Sequence, residues 1–334
     1  MAHRVTLIPG DGPGADVAPH IKRIVEAAGV DVEWDEQIAG AAAVEAGEPA
    51  VPGRVIESIR RNKIALKGLL FAPEGPTSMS PNQTFRRELG LFASVRPVRN
   101  VPGLPSRFHD LDLLMIRELT EDVYSGIEHE VVPGVVQSLR VITERASTRV
   151  ARFAFEYARL RGRKRVTLVH KANILKRSDG LFMESGRRVA AEYPDIGFET
   201  IIADNAAMQL VLRPHRFDVL LLPNLFGDIL SDLGAGLVGG IAAAYGVCRG
   251  EDPALRVYEV LHGVGASDGR RRDVGDPLVF LTPTLSMLRH LGEGDAAARI
   301  GDAVRQVFVA GTVTPDLGGR ASCTAMSNAI LARL

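Results

Sequence analysis

Only two cysteines, Cys248 and Cys323, occur in 334 residues. Two thiols build neither a disulfide framework nor a four-cysteine zinc site, and they suit a reducing compartment. A charge excess of either sign is missing too. Forty basic residues against forty acidic ones sum to zero, which leaves no net field to draw in a nucleic acid or a membrane surface. No apolar run reaches the ~18 residues of a membrane span. The opening "MAHRVTLIPGDG" passes straight into a strand and a glycine turn with no leader-like segment. These absences predict a soluble cytoplasmic enzyme with no nucleic-acid and no membrane partner.

What is present is apolar sequence, 46% of residues, and 34 glycines, which fit a compact protein with many tight turns. The length exceeds what one hydrophobic core usually holds, so two domains are expected. Strand-like runs ("RVTLIPG", "DLDLLMIRE", "RVTLVHK", "GFETIIAD", "FDVLLLP") alternate with helix-like segments such as "ADVAPHIKRIVEAAG" and "ASTRVARFAFEYARLRG". That alternation signals an α/β fold, a sheet covered by helices. Tyr124 to Thr143 departs from it. This stretch is β-branched on both sides of a Pro-Gly turn and reads as a hairpin arm, either a subunit contact or a plain surface hairpin.

Three groups of residues carry candidate chemistry. "PGDGPG" (Pro9 to Gly14) follows a strand but lacks the G-x-G-x-x-G spacing of a dinucleotide fingerprint, so a tight turn is the simpler reading. "SMSPNQTFRRELGLFASVRP" sets Arg86, Arg87 and Arg96 near Ser80, Asn82 and Thr84. Guanidinium groups clamp carboxylates bidentately, although solvated arginines on a helix explain the same letters. Arg117, followed by Tyr124, and His170 with Lys171 fall at strand ends, where sites concentrate in α/β sheets. "NLFGDILSD" places Asp228 and Asp232 one helical turn apart. Like charges at that spacing repel unless a divalent cation such as Mg²⁺ or Mn²⁺ sits between them. Asp204 offers a third acid. The alternative is that Asp228 caps a helix and Asp232 is solvated.

In chain order, "LIPGDGPG", "FRRELGLFASVRP", "YSGIEH", "VHKANI", "FDVLLLPNLFGDILSDLGAGLVGG", "HG", "MLRHLG" and "TPDLGG" resemble the β-decarboxylating dehydrogenases, the family of isocitrate, 3-isopropylmalate and homoisocitrate dehydrogenases. The NAD-dependent isocitrate enzymes look nearest, through "YSGIEHEVVPGVVQSLRVIT" and "FAFEYAR". The resemblance implies a two-domain α/β fold. Residues 1–98 and 252–334 would form a discontinuous large cofactor-side domain, and 99–251 a small domain carrying the clasp at about 124–143.

It further implies that Arg86, Arg96 and Arg117 hold substrate carboxylates, with polar contacts from Ser80 and Asn82. Tyr124 would be the general acid and Lys171 the group assisting proton removal, with Tyr124 made a better acid by a cation such as Lys171. Asp204, Asp228 and Asp232 would hold Mg²⁺ or Mn²⁺. The partner implied is a second copy in a homodimer with shared active sites, Lys171 and Asp204 coming from that copy; a higher oligomer is compatible.

Asn82 presents hydrogen-bonding groups where isopropylmalate enzymes carry leucine, which favours a third polar or anionic substituent. Leu119 in "RELT" points the other way, towards the isopropylmalate branch. The cofactor loop "HGVGASDGRRRDVGDP" departs from the family pattern, with His262, Gly263, Ala266, Ser267, Asp268 and Asp276 as its binding candidates. Asp268 suits the ribose hydroxyls of NAD; Arg270 to Arg272 suit the extra phosphate of NADP; Pro315 and Gly319 favour NAD. Ala72 replaces a customary threonine. The function expected is metal-dependent oxidative decarboxylation of isocitrate or a close 2-hydroxy polyacid with NAD. The alternatives are a specialised enzyme acting on a phosphonate, isopropylmalate or homoisocitrate analogue, and a non-catalytic regulatory subunit.

Overall fold

The computed structural model describes residues 2–71, 80–261, 273 and 275–334. In chain order the strands are β1 (His3–Ile8), β2 (Val32–Glu36), β3 (Ile64–Lys67), β4 (Leu91–Arg99), β5 (Asp112–Glu118), β6 (Glu128–Val132), β7 (Val135–Ser138), β8 (Arg165–His170), β9 (Gly197–Ile202), β10 (Val219–Leu222), β11 (Tyr245–Gly250) and β12 (Arg256–Val260). The α-helices are α1 (Gly14–Ala27), α2 (Ala41–Glu45), α3 (Gly53–Asn62), α4 (Pro81–Glu88), α5 (Glu144–Leu160), α6 (Ser178–Ala190), α7 (Ala203–Leu212), α8 (Asn224–Leu237), α9 (Leu278–His290), α10 (Gly294–Val309) and α11 (Cys323–Leu331).

Two compact units result: unit 1 is Met1–Gly90, Asn100–Arg107 and Val238–Leu334, and unit 2 is Leu91–Arg99 and Phe108–Leu237. These bounds differ from the 98/252 division expected from sequence. Residues 91–99 go with unit 2 because β4 pairs antiparallel with β5 from Ala93↔Glu118 to Arg99↔Asp112. Residues 238–251 go with unit 1 because β11 pairs antiparallel with β12.

In unit 1 the strands run in the order β2-β1-β3-β12-β11. All pairs are parallel except β11 with β12. β3 is buried along its whole length, as expected of a parallel strand covered on both faces. "PGDGPG" is a packed turn. A Cβ on Gly14 would lie 2.1 Å from the Pro9 carbonyl oxygen, so only glycine permits that approach. Asp11 accepts the Ala41 and Phe71 N–H groups at 2.8 and 2.7 Å.

In unit 2 the order is β4-β5-β10-β8-β9, again with one antiparallel pair, β4 with β5. Helix α8 lies tight against this sheet through its glycines. A Cβ on Gly227 would meet the Arg117 side chain at 2.5 Å, and one on Gly234 would meet Val98 at 2.7 Å. β6 and β7 form a separate two-stranded hairpin whose residues are all exposed.

Candidate active site

Unit 2 gathers five of the predicted residues, Arg96, Arg117, Tyr124, Asp228 and Asp232, around α8. Asp228 does not cap this helix, contrary to one expectation. The carboxylate of Asp122 accepts the Leu225 N–H at 3.1 Å, and Asp228 stands one turn further in. There it is the hub of a charged cluster. Its Oδ1 accepts the Arg117 guanidinium and lies 3.4 Å from Arg96 Nη2; its Oδ2 accepts the Tyr124 hydroxyl. Asp232 lies 3.9 Å from Arg96 Nη1 and is more exposed.

Both arginines are rigidly seated. Arg117 is 1% exposed, its Nε donating to Asn224 Oδ1 at 2.8 Å, and Asn224 in turn donates to the Glu121 carbonyl at 3.0 Å. Arg96 bonds the Ser231 hydroxyl on the same face of α8. The Arg117 guanidinium also stands 5.0 Å above the Tyr124 ring, so a cation of the same chain already faces the tyrosine.

Lys171 and Asp204 form a second group. Lys171 Nζ donates to Asp204 Oδ1 at 2.6 Å, and this bond holds the Asp204 carboxyl below its usual range. Among the described residues neither is bonded to Tyr124, Asp228 or Asp232. The three acids therefore do not meet within one chain, a separation compatible with Asp204 serving a second copy. The only described cluster of three metal-ligating side chains is a different one, His20, Asp273 and Cys323 in unit 1.

A buried ion network that sequence reading missed steadies both groups. Arg140 bonds Asp122 through Nε and Nη2 at 2.6 and 3.1 Å and also bonds Asp179; both acids are fully buried. Asp122 sits at φ 77 just before the Tyr124 turn, and Asp179 accepts the Lys171 N–H at 2.6 Å. Nothing in the local sequence marks these three, because their partners are 18 and 39 residues apart.

In unit 1, Ser80 caps α4 with a reciprocal capping box to Gln83, and Asn82 and Arg86 lie on that helix, both half-buried. Of the cofactor candidates, His262, Gly263, Ala266, Ser267 and Asp268 lie outside the described residues, as do Ala72 and Arg270 to Arg272. Asp276 is described and almost fully buried. Its Oδ1 accepts the Leu278 N–H at 2.8 Å, and its Oδ2 has no partner among the described residues. Burial pushes its carboxyl up to about 7. It lines a small hollow with Asp11, Gly14, Val17, Gly275 and Phe280. Gly319 is obligatory, since a Cβ there would lie 2.0 Å from the Val313 carbonyl oxygen.

The oxygen-only acids suit a hard divalent cation. Residues 4–330 match the family model described as isocitrate/isopropylmalate dehydrogenase. The chain is 44% identical to the mitochondrial NAD isocitrate dehydrogenase catalytic subunit 5 of Arabidopsis thaliana, over 97% of this chain and 87% of that one. It is also 44% identical to the chloroplastic 3-isopropylmalate dehydrogenase of Solanum tuberosum, over 93% and 86%. Subunits described as regulatory are among the relatives as well. The crystal structure of isocitrate dehydrogenase from Methylococcus capsulatus superposes with a TM-score of 0.91 at 46% identity, covering 99% of both chains.

Proposed function

The chain belongs to the isocitrate/isopropylmalate dehydrogenase family, and from that premise we propose that it oxidatively decarboxylates isocitrate, or a close 2-hydroxy polyacid, with NAD as hydride acceptor. The observation that carries this reading is the convergence of Arg96, Arg117 and Tyr124 on Asp228. Two guanidinium groups, a phenolic hydroxyl and a carboxylate are thereby held within a few ångströms of one another against one face of α8.

Asp228 and Asp232, with Asp204 of a second copy, would hold Mg²⁺ or Mn²⁺. When bound, the ion supplies Lewis-acid polarisation of the substrate hydroxyl and of the carbonyl it becomes, and the nicotinamide accepts the hydride. The protein's own groups do the rest. Arg96 and Arg117 orient the substrate carboxylates; both are buried and pre-placed, so little ordering remains to be done on binding. Lys171 of the second copy would assist removal of the hydroxyl proton as hydride leaves the carbon that bears that hydroxyl. After CO₂ departs, its bonding electrons stay on the substrate as an enolate, and the Tyr124 hydroxyl delivers a proton to carbon.

Asn82 supports a polar third substituent. The opposing signal, Leu119, is 3% exposed and takes its identity from core packing as readily as from substrate. NAD rather than NADP is supported by Gly319, whose packing against Val313 excludes an arginine that could meet an added phosphate. The hairpin arm presents Ile127, Val131, Val132, Val135, Val136 and Leu139 to solvent; exposed apolar side chains so concentrated suit burial in a homodimer clasp. Mixing inactive Tyr124→Phe and Lys171→Met proteins tests the shared site. Recovered activity in the mixture is expected if Lys171 serves the partner, and none is expected if each chain works alone. Retention of Tyr124, Lys171 and all three aspartates favours a catalytic over a regulatory subunit.

A further inference from the structure

Lys67 closes β3 with its side chain 2% exposed, a placement lysine tolerates only when paired. Its ammonium donates to the Asn82 side-chain oxygen at 3.0 Å and to the Gly68 carbonyl at 3.1 Å, and it faces Glu259 Oε2 at 3.7 Å. Glu259, itself buried on β12, accepts the Cys248 thiol at 3.0 Å from the neighbouring strand β11. Burial lowers the Lys67 pKa while Glu259 opposes it, and burial raises that of Cys248. The thiol therefore stays a donor. The chain of contacts reads Cys248 to Glu259, Glu259 with Lys67, and Lys67 to Asn82.

This network settles which way the Asn82 amide points. Turning the amide over would set its NH₂ against the donors of Lys67, with no acceptor between them. The Oδ1 edge is therefore committed to Lys67, and the Nδ2 edge is the one left to a ligand. Asn82 is half-buried, and among the described residues its NH₂ donates to no protein group.

We propose that Lys67 is a specificity-positioning residue, which through Asn82 presents an oriented N–H donor to the third substituent of the substrate. Such a donor favours an acceptor-only group, a carboxylate, and disfavours an alkyl group, which would leave the amide unpaired. This inference rests on the assignment of Asn82 to the substrate made above. It accounts for the cost of burying Lys67 and Glu259, which an apolar pair would avoid.

The test compares kcat/KM for isocitrate, 3-isopropylmalate and (2R)-malate, which shares the hydroxy-acid core and carries hydrogen at the third position. In Lys67→Met the isocitrate-to-malate ratio is expected to fall about 10–100-fold, mainly through the KM for isocitrate. The same substitution is expected to add nothing further in an Asn82→Ala background. Should Lys67→Met fold poorly because the buried Glu259 loses its cation, Lys67→Met/Glu259→Gln carries the same readout. Variants too slow to assay are compared by Mn²⁺-dependent binding of the three acids in a calorimeter. An unchanged ratio, or a loss that adds fully to that of Asn82→Ala, overturns the role of Lys67 while leaving the substrate reading intact. A wild-type preference for isopropylmalate over isocitrate removes both.

Discussion

Asp228 in unit 2 and Asp276 in unit 1 are carboxylates at or near the start of a helix, and they are satisfied in opposite ways. Asp228 is partly open to solvent and is met by Arg117, Arg96 and Tyr124. Asp276 is almost fully buried and, among the described residues, has one backbone donor and keeps one oxygen without a partner. The first arrangement sets a carboxylate among cations that compete for it. The second leaves a carboxyl whose ionisation burial opposes, with its titration moved to about 7. Partners, more than burial alone, decide what an acid can do.

The largest effect is expected at the hub. Asp228→Asn removes the anion but keeps the shape, and kcat/KM with isocitrate and Mn²⁺ is expected to fall about 10³-fold, without recovery at saturating metal. A variant near wild-type activity breaks the assignment of this cluster to the reaction.

Next is the network behind the hub. Arg140→Met strands the fully buried Asp122 and Asp179. The expected loss is about 3–5 kcal/mol of stability, read by urea unfolding with an unchanged m-value. A loss under about 1 kcal/mol, the range of exposed pairs, would show that these acids are solvated in the native protein.

Asp276 gives a smaller, pH-dependent effect of the opposite sign. Its folded-state titration is raised to about 7 from an ordinary 3.8, so the folded protein binds its proton more tightly than the unfolded chain. Its contribution is therefore most favourable below pH ~4, declines as pH rises, and is lost above ~7. Asp276→Asn is expected to raise the Tm relative to wild type by about 2–4 °C at pH 8, with the gain shrinking towards pH 4. A pH-independent difference contradicts the buried-carboxyl reading.

The smallest stability effect belongs to the Lys171–Asp204 pair, because the Asp204 side chain is 70% exposed. Asp204→Asn is expected to move the Tm by about 1 °C or less, while Mn²⁺ binding to the assembled protein weakens severalfold or more. Unchanged metal affinity would remove Asp204 from the site.

The sequence displayed some of this contrast and concealed the rest. The two acids of "NLFGDILSD" were legible because helical spacing is local, and Arg117 because it ends a continuous apolar strand. The partners of Asp228 were less so: its expected role as a cap falls instead to Asp122, about a hundred residues away in sequence. Lys67, Asn82, Cys248 and Glu259 meet only because the sheet brings β3, β11 and β12 together with α4. No periodicity reports such a meeting. The burial of Asp276 was equally hidden, since the polar loop around it gives no sign of the core packed against it. Long-range pairing of charges is the part that had to await coordinates.

The most direct test of the account is product stoichiometry with isocitrate, NAD and Mn²⁺, following NADH by absorbance and CO₂ by trapping. The account predicts equimolar NADH and CO₂, abolished by chelating the metal and by Asp228→Asn. Binding of isocitrate and Mn²⁺ with no turnover on either nicotinamide cofactor would contradict it and assign the chain a regulatory role.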